Sequence, residues 1–188
     1  MKRRSKRKIA VSATTALTLA IFIIAFANKL FGDKFRSTLA PAAPDFDKTQ
    51  DFVKIMDVGQ ADAALIYSNG CSAVIDAGLT SSADDISADL KGADIKDIDA
   101  LLITHLHMDH AGALAKIAMS FPIDNLIIPN RDSSAEAMPT VNEAEKRVVA
   151  EKGKVFTATE GMNFNIGEFE VTLLAYFPYA TKENDRSI

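Results

Sequence analysis

The pattern of apolar and polar positions divides the chain into an apolar N-terminal segment, a linker and a longer mixed region. Residues 9–27 are apolar apart from one serine and three threonines. Residues 38–45 contain two prolines and little to bury, which is typical of an extended spacer. From about residue 51, short apolar runs alternate with turn-forming residues, as in a folded domain. We therefore predict four segments: a basic tail at 1–8, a membrane-inserting segment at 9–27, a stalk at 28–50 and a domain at 51–188.

Apolar runs within the domain predict three antiparallel strands, the first at 52–58, followed by alternating helices and strands. The runs 63–68 and 71–76 flank Asn69-Gly70, and Asn-Gly between two such runs is a strong hairpin signal. Ser82, followed by acidic residues, is the predicted N-cap of the first helix. Helices are predicted at 82–91, 111–121 and 141–152, and further strands at 98–104, 123–128, 155–159 and 169–177. This order is typical of an α/β (α+β) fold whose helices cover the outer faces of the sheets.

The N-terminal segment has the length and the flanking charge of a membrane anchor. As a helix, its 19 residues span about 28 Å at ~1.5 Å per residue, close to the ~30 Å hydrocarbon core. The six lysines and arginines before it favour a cytoplasmic N-terminus, with the domain outside. We predict a retained single-pass anchor in the cell membrane, because the run exceeds the ~7–15 residues of a signal-peptide core. The alternative is a secreted protein cleaved near Ala27, since Ala25-Phe26-Ala27 resembles a small-x-small cleavage site.

Composition is that of a globular protein, and the charge makes nucleic acid a disfavoured partner. Hydrophobic residues make up 48% of the chain and charged residues 24%, which is unlike a disordered chain. Six positive charges lie within residues 2–8, so the other residues carry a net charge of −10, against −4 for the whole chain. A surface that acidic repels nucleic acid unless bound metal reverses the charge locally. Cys71 is the single cysteine and is predicted to pack as a small apolar residue.

All three histidines of the protein lie within six consecutive positions. His105, His107 and His110 surround Asp109, after a predicted strand and before a predicted helix. In an extended segment the period of two directs His105 and His107 to one side, and the following turn brings Asp109 and His110 near them. Imidazole and carboxylate groups bind zinc, and also manganese or iron. The alternative is a solvated loop that contains histidines by chance, and the flanking strand and helix favour the metal site.

The same residues resemble a known family. His105-x-His107-x-Asp109-His110 is similar to the signature of the metallo-β-lactamase superfamily, and residues 74–78, with Asp76, resemble the strand-end aspartate element that precedes it. The opening 56–63 resembles the hydrolase-like domain of ComEC-type competence proteins and their stand-alone relatives, which typically have glycine in place of Ala61. The tail 184–188 resembles the Asn-Asp-x-Ser element of that group. The resemblance covers about residues 51–188 and implies an αββα sandwich.

The resemblance also implies roles for individual residues. His105 and His107 would bind a first metal ion, and Asp109 and His110 a second, with the latter two as the catalytic pair. Asp76 would hold the histidine rings in the right orientation, and the alternative is a plain strand-end aspartate. Two zinc ions, or manganese or iron in their place, would activate a water for attack on phosphorus or a carbonyl carbon.

The chain also departs from the family pattern. The family takes further ligands from the second half of its fold, including an aspartate in a Gly-Asp element and one or two more histidines. Here no histidine follows His110 and no Gly-Asp pair follows Asp109. We therefore expect an incomplete second half, the product of a truncated gene or, alternatively, a degenerate relative. The remaining ligands would be water, an acid such as Asp185, or groups from another polypeptide.

Three functions compete on these grounds. The favoured one is an exported, metal-dependent hydrolase of phosphodiester or related bonds, linked to competence and DNA uptake or to envelope turnover. The second is a hydrolase of lactones or β-lactams, which the opening Asp57-Val58-Gly59-Gln60 disfavours by resemblance. The third is a non-catalytic, truncated remnant or a metal-binding interaction module. Asp57, Gln60 and Asp62 are interpreted as turn-forming residues rather than catalysts.

Overall fold

A computed structural model of the chain describes residues 47–174. The predicted basic tail, the membrane-inserting segment, nearly all of the stalk and the tail element with Asp185 lie outside the described residues. Within 47–174, no helix is long and apolar enough to cross a membrane.

The described residues form a six-stranded mixed sheet, a separate two-stranded sheet, four α-helices and one short 3₁₀ helix at Thr80–Ser82. The large sheet has the order β1-β2-β3-β4-β5-β6. Its strands are β1 (Phe52–Ile55), β2 (Ala64–Ser68), β3 (Cys71–Ile75), β4 (Ile98–Leu102), β5 (Ile123–Ile128) and β6 (Lys154–Thr157). The small sheet pairs β7 (Asn163–Ile166) with β8 (Phe169–Thr172). The helices are α1 (Ala83–Gly92), α2 (Met108–Ala111), α3 (Leu114–Ser120) and α4 (Met138–Ala150).

The first three strands form the predicted antiparallel meander. Asn69 and Gly70 have positive φ angles of 48° and 86°, as a two-residue hairpin requires, and Ser68 pairs with Cys71 beside them. From β3 onward the pairing becomes parallel, because helical crossovers separate β3, β4, β5 and β6. The carboxyl ends of these parallel strands consequently meet at one edge of the sheet.

The main core lies between the large sheet and its helices. Central strands contribute Leu65, Val74, Leu101 and Leu126, and the helices contribute Ile86, Leu90, Leu114, Ile117 and Val141, all of them fully buried. Each such side chain contributes about 1.5–3 kcal/mol on burial. On the opposite face of the sheet, Ile166 and Phe164 of β7 pack against Ile66 and Ala73. The mixed α/β fold is therefore layered as helices, large sheet and a small second sheet.

Several elements differ from the sequence prediction. The predicted strand 98–104 ends at Leu102, the predicted helix 111–121 corresponds to α3, and the short helix α2 before it was not predicted. Strand β8 ends at Thr172, and residues 175–177 of the predicted strand 169–177 lie outside the described residues. Strand β7 was not predicted, although its polar and apolar residues alternate as in a strand. Ser82 occupies the predicted N-cap position, but its hydroxyl donates to the Val58 carbonyl instead of capping α1.

The break between α2 and α3 depends on the absence of a side chain at Gly112. A Cβ atom at this position would lie 2.3 Å from the Met108 carbonyl oxygen, 2.7 Å from the Thr80 nitrogen and 3.0 Å from the Gly78 oxygen. These neighbours are backbone atoms, which cannot rotate away as a side chain can. Gly112 therefore allows the close approach of the helix break to the loop after β3.

We predict that Gly112→Ala destabilises the protein by about 1–3 kcal/mol, the usual cost of forcing atoms into a packed site. Urea unfolding followed by circular dichroism would measure the loss. Met119→Ala is the control, because Met119 lies on the adjacent α3 and is 67% exposed. Its free energy of unfolding should differ from that of the wild type by less than about 0.5 kcal/mol. Equal midpoints for Gly112→Ala and the wild type would contradict the close approach.

Candidate metal centre

The histidine motif follows β4: His105 and His107 lie in the link after this strand, and Asp109 and His110 lie in α2. His105 is buried at 8% exposure, whereas His107, Asp109 and His110 are partly buried. Leu106, between the first two histidines, is buried in the main core. Because this leucine points inward, it anchors the segment, and the two rings come to lie with centroids 4.9 Å apart at an interplanar angle of 73°.

Three of the predicted ligands converge on one point. One ligand atom each from His105, His107 and Asp109 lie within 4.8 Å of one another. Two ligand atoms of a tetrahedral zinc ion, at ~2.0–2.2 Å from the metal, are separated by roughly 3.4 Å. Small side-chain rotations therefore suffice to close the group around a cation. Two imidazoles and one carboxylate are a donor set that fits zinc, manganese or iron.

His110, the fourth predicted ligand, lies beside this group. Its ring centroid is 3.7 Å from that of His105, and its Nδ1 lies 2.9 Å from Asp76 Oδ2. When Nδ1 carries the proton, its N–H donates a hydrogen bond to the Asp76 carboxylate, and Nε2 has a free lone pair for a cation. Nε2 lies 3.8 Å from Asp109 Oδ2, so the structure also brings together the two residues predicted for the second metal.

The Asp76 carboxylate connects the segments that carry these ligands. Its Oδ1 accepts a hydrogen bond from the Thr104 N–H at 2.8 Å, and its Oδ2 accepts one from the Thr104 hydroxyl at 2.7 Å. Thr104 Oγ1 in turn lies 3.2 Å from His105 Nδ1. Asp76 thus contacts His110 directly and His105 through Thr104. Thr104 was not predicted as a site residue, although it stands directly before the motif.

Burial shifts the pKa values of two groups at the centre. Burial raises the pKa of the Asp76 carboxyl, and hydrogen bonds from His110 and Thr104 act in the opposite direction. Burial, together with the neighbouring charges of His110 and His107, lowers the pKa of His105 from 6.5 to about 4. His105 is consequently neutral at pH 7, which is the form that binds a metal ion.

Asp62, interpreted from sequence as a turn residue, also lies at this centre. Its Oδ2 is 3.4 Å from His110 Nε2. Its backbone N–H donates to the Asp109 carbonyl at 3.1 Å, and its carbonyl accepts from the Gly78 N–H at 2.9 Å. The loop before β2 is therefore part of the site, and the only sequence signal was an acidic residue in the motif 56–63.

Comparisons with known proteins agree with this geometry. The model of the metallo-β-lactamase superfamily matches residues 56–171. The anti-Pycsar protein Apyc1 of Paenibacillus sp. (strain J14) is 38% identical over 55 residues, which is 29% of this chain and 21% of that protein. The match therefore spans about a fifth of that relative.

One solved structure superposes closely enough to show a similar fold. MEM-A1, a subclass B3 metallo-β-lactamase from a soil metagenome library, superposes with a TM-score of 0.52 at 20% identity, covering 67% of this chain and 50% of that one. GOB-18 from Elizabethkingia meningoseptica gives 0.47 at 22% identity, with 65% and 47% covered. This chain thus spans about half the length of either enzyme. Since the family model matches well over half of the chain and includes every histidine of the site, the chain belongs to the metallo-β-lactamase superfamily.

Proposed function

We propose that this protein is a metal-dependent hydrolase of small phosphodiester-type substrates. The observation that carries the proposal is the convergence of His105, His107 and Asp109 within 4.8 Å, beside a His110 ring held by Asp76. A histidine and carboxylate cluster at the carboxyl ends of parallel strands is suited to binding a cation where a substrate has access.

Each residue of the centre has a distinct task in this proposal. His105, His107 and Asp109 hold a cation, and zinc suits their nitrogen and oxygen donors best. Asp76 keeps the His110 ring, and through Thr104 the His105 ring, in the tautomer that leaves Nε2 free. The Asp109 side chain is 47% exposed, so its carboxylate reaches both the cation position and solvent and accepts a proton from the attacking water. When bound, the cation supplies Lewis-acid chemistry, lowering the pKa of a water and polarising a substrate oxygen.

The substrate class rests on two further arguments. The opening 56–63 resembles ComEC-type proteins and their stand-alone relatives, which favours a phosphodiester over a lactone or β-lactam and is the sole support for a link to competence. The net charge of −10 outside residues 2–8 disfavours a long polyanion such as DNA. Zinc at the centre would offset the negative charge locally, which suffices for a small phosphodiester. We therefore favour a small substrate over a nucleic-acid strand.

We also propose that the domain is displayed outside the cell membrane on the anchor formed by residues 9–27. The support is the 19-residue apolar run preceded by six cations. We predict that protease added to intact cells cleaves the domain from the membrane fraction. Replacing all six cations by glutamine should invert or abolish this exposure. Full protection of the wild-type protein in intact cells, with cleavage only after lysis, would contradict the predicted orientation.

The hydrolase proposal predicts that the zinc-loaded, full-length chain, purified in mild detergent, hydrolyses bis(p-nitrophenyl) phosphate. His107→Ala should reduce kcat/KM by about 100-fold or more, because a ligand that binds the cation is removed. Asp109→Asn should act similarly, and the matched control is Asp124→Asn, whose exposed side chain lies in β5. Faster turnover of a chromogenic β-lactam would favour an acyl hydrolase, and bound zinc without turnover of either substrate would favour a non-catalytic protein.

The low pKa of His105 predicts how stability depends on pH. Without metal, an unfolded chain takes up a proton on His105 near its ordinary pKa of 6.5, whereas the folded chain does so only near pH 4. The free energy of unfolding should therefore decrease as the pH falls from about 6.5 towards 4. Urea unfolding in EDTA at pH 7, 6 and 5 would measure this decrease, and His105→Gln should make it smaller. Equal pH dependence of the wild type and His105→Gln would show that a lowered pKa of His105 is not the cause of the decrease.

A further inference from the structure

The Asp62 carboxylate faces the side of the His110 ring that points to the metal centre. Asp76 accepts a hydrogen bond from Nδ1 on one side of the ring, and Asp62 Oδ2 lies 3.4 Å from Nε2 on the other. An imidazole nitrogen and a carboxylate oxygen that face each other in this way are both ligand types for a zinc-like cation.

The separations around His110 Nε2 are those of atoms that share a cation. Asp62 Oδ2 lies 3.4 Å from Nε2 and Asp109 Oδ2 lies 3.8 Å from it. Ligands at ~2.0–2.2 Å from one tetrahedral ion lie roughly 3.4 Å apart. Each carboxylate, taken separately, therefore lies close to the separation from His110 Nε2 that two ligands of one ion have, and a shared ion requires the two exposed side chains to move towards each other.

The backbone of Asp62, and not its side chain, fixes this loop in the fold. The main-chain N–H and carbonyl of Asp62 bond to Asp109 and Gly78, on the two sides of the centre. The side chain itself is 70% exposed, so it contributes little packing. A change of the carboxylate therefore leaves the attachment of the loop intact.

We propose that Asp62 is a carboxylate ligand of a second cation, which it binds together with His110 and with Asp109, whose carboxylate then contacts this cation as well as the one held by His105 and His107. The proposal rests on the metal-dependent function above and adds a ligand from the loop before β2. This carboxylate supplies one of the donors that the motif 105–110 alone does not provide for two ions.

The test compares cation binding by the full-length wild type, Asp62→Asn and Asp57→Asn. Asp57 is exposed and lies in the same loop, so its variant removes the same charge without removing the proposed ligand. Zinc titration calorimetry and the visible absorption of the cobalt-substituted proteins give readouts independent of turnover. We expect two ions per wild-type chain and an affinity for the weaker ion that falls about 10-fold or more in Asp62→Asn alone. Asp62→Glu, which keeps a carboxylate, should retain two ions, and circular dichroism should be unchanged in all variants.

Four outcomes would overturn the assignment of Asp62. If Asp62→Asn binds both ions with wild-type affinity, or if Asp57→Asn loses affinity equally, Asp62 is not a ligand and the hydrolase proposal is unaffected. A wild-type chain that binds one ion likewise refutes the role of Asp62 alone. A wild-type chain that binds none refutes both proposals.

Discussion

The contact on which the centre depends is the buried Asp76 carboxylate. It joins the end of β3 to the end of β4 through Thr104, and to α2 through His110. A carboxylate that is 4% exposed is costly unless it is hydrogen bonded, and these three donors offset the cost. Asp76 also has a positive φ of 61°, a strained conformation that aspartate tolerates better than most residues. At this turn of the backbone, the Asp76 side chain bonds to Thr104 and His110, while the main chain continues towards α1.

Backbone hydrogen bonds hold three segments of the centre together independently of the carboxylate. The Ala77 N–H donates to the His110 carbonyl, the Asp62 N–H to the Asp109 carbonyl, and the Ala113 N–H to the Gly78 carbonyl. The loop before β2, the loop after β3 and α2 are therefore connected in pairs. Such attachment reduces the conformational freedom that a cation would otherwise have to remove on binding. The centre is preorganised by main-chain contacts, and its side chains remain free to adjust.

The sequence was sufficient where structure depends on neighbours in the chain. Asn69-Gly70 predicted the hairpin, and the spacing of His105, His107 and Asp109 predicted a cluster, because both are local patterns. It was insufficient where contacts are distant along the chain. Asp62 looked like a turn residue because its neighbour His110 lies beyond three strands and a helix, and the close approach at Gly112 involves the loop around Gly78. The anchor and the tail element remain predictions, since they lie outside residues 47–174.

The proposed cation ligands and the small sheet lie in different parts of the fold. The ligands come from the loop after β4, from α2 and from the loop before β2. The small sheet β7–β8 packs on the opposite face of the large sheet, beside a cavity of about 410 Å³ lined by Asn125, Phe156 and Asn165. None of the proposed ligands lies on the face that the small sheet covers. Substitutions in β7 or β8 should therefore leave the arrangement of the proposed ligands unchanged, as long as this hairpin still packs on β2 and β3.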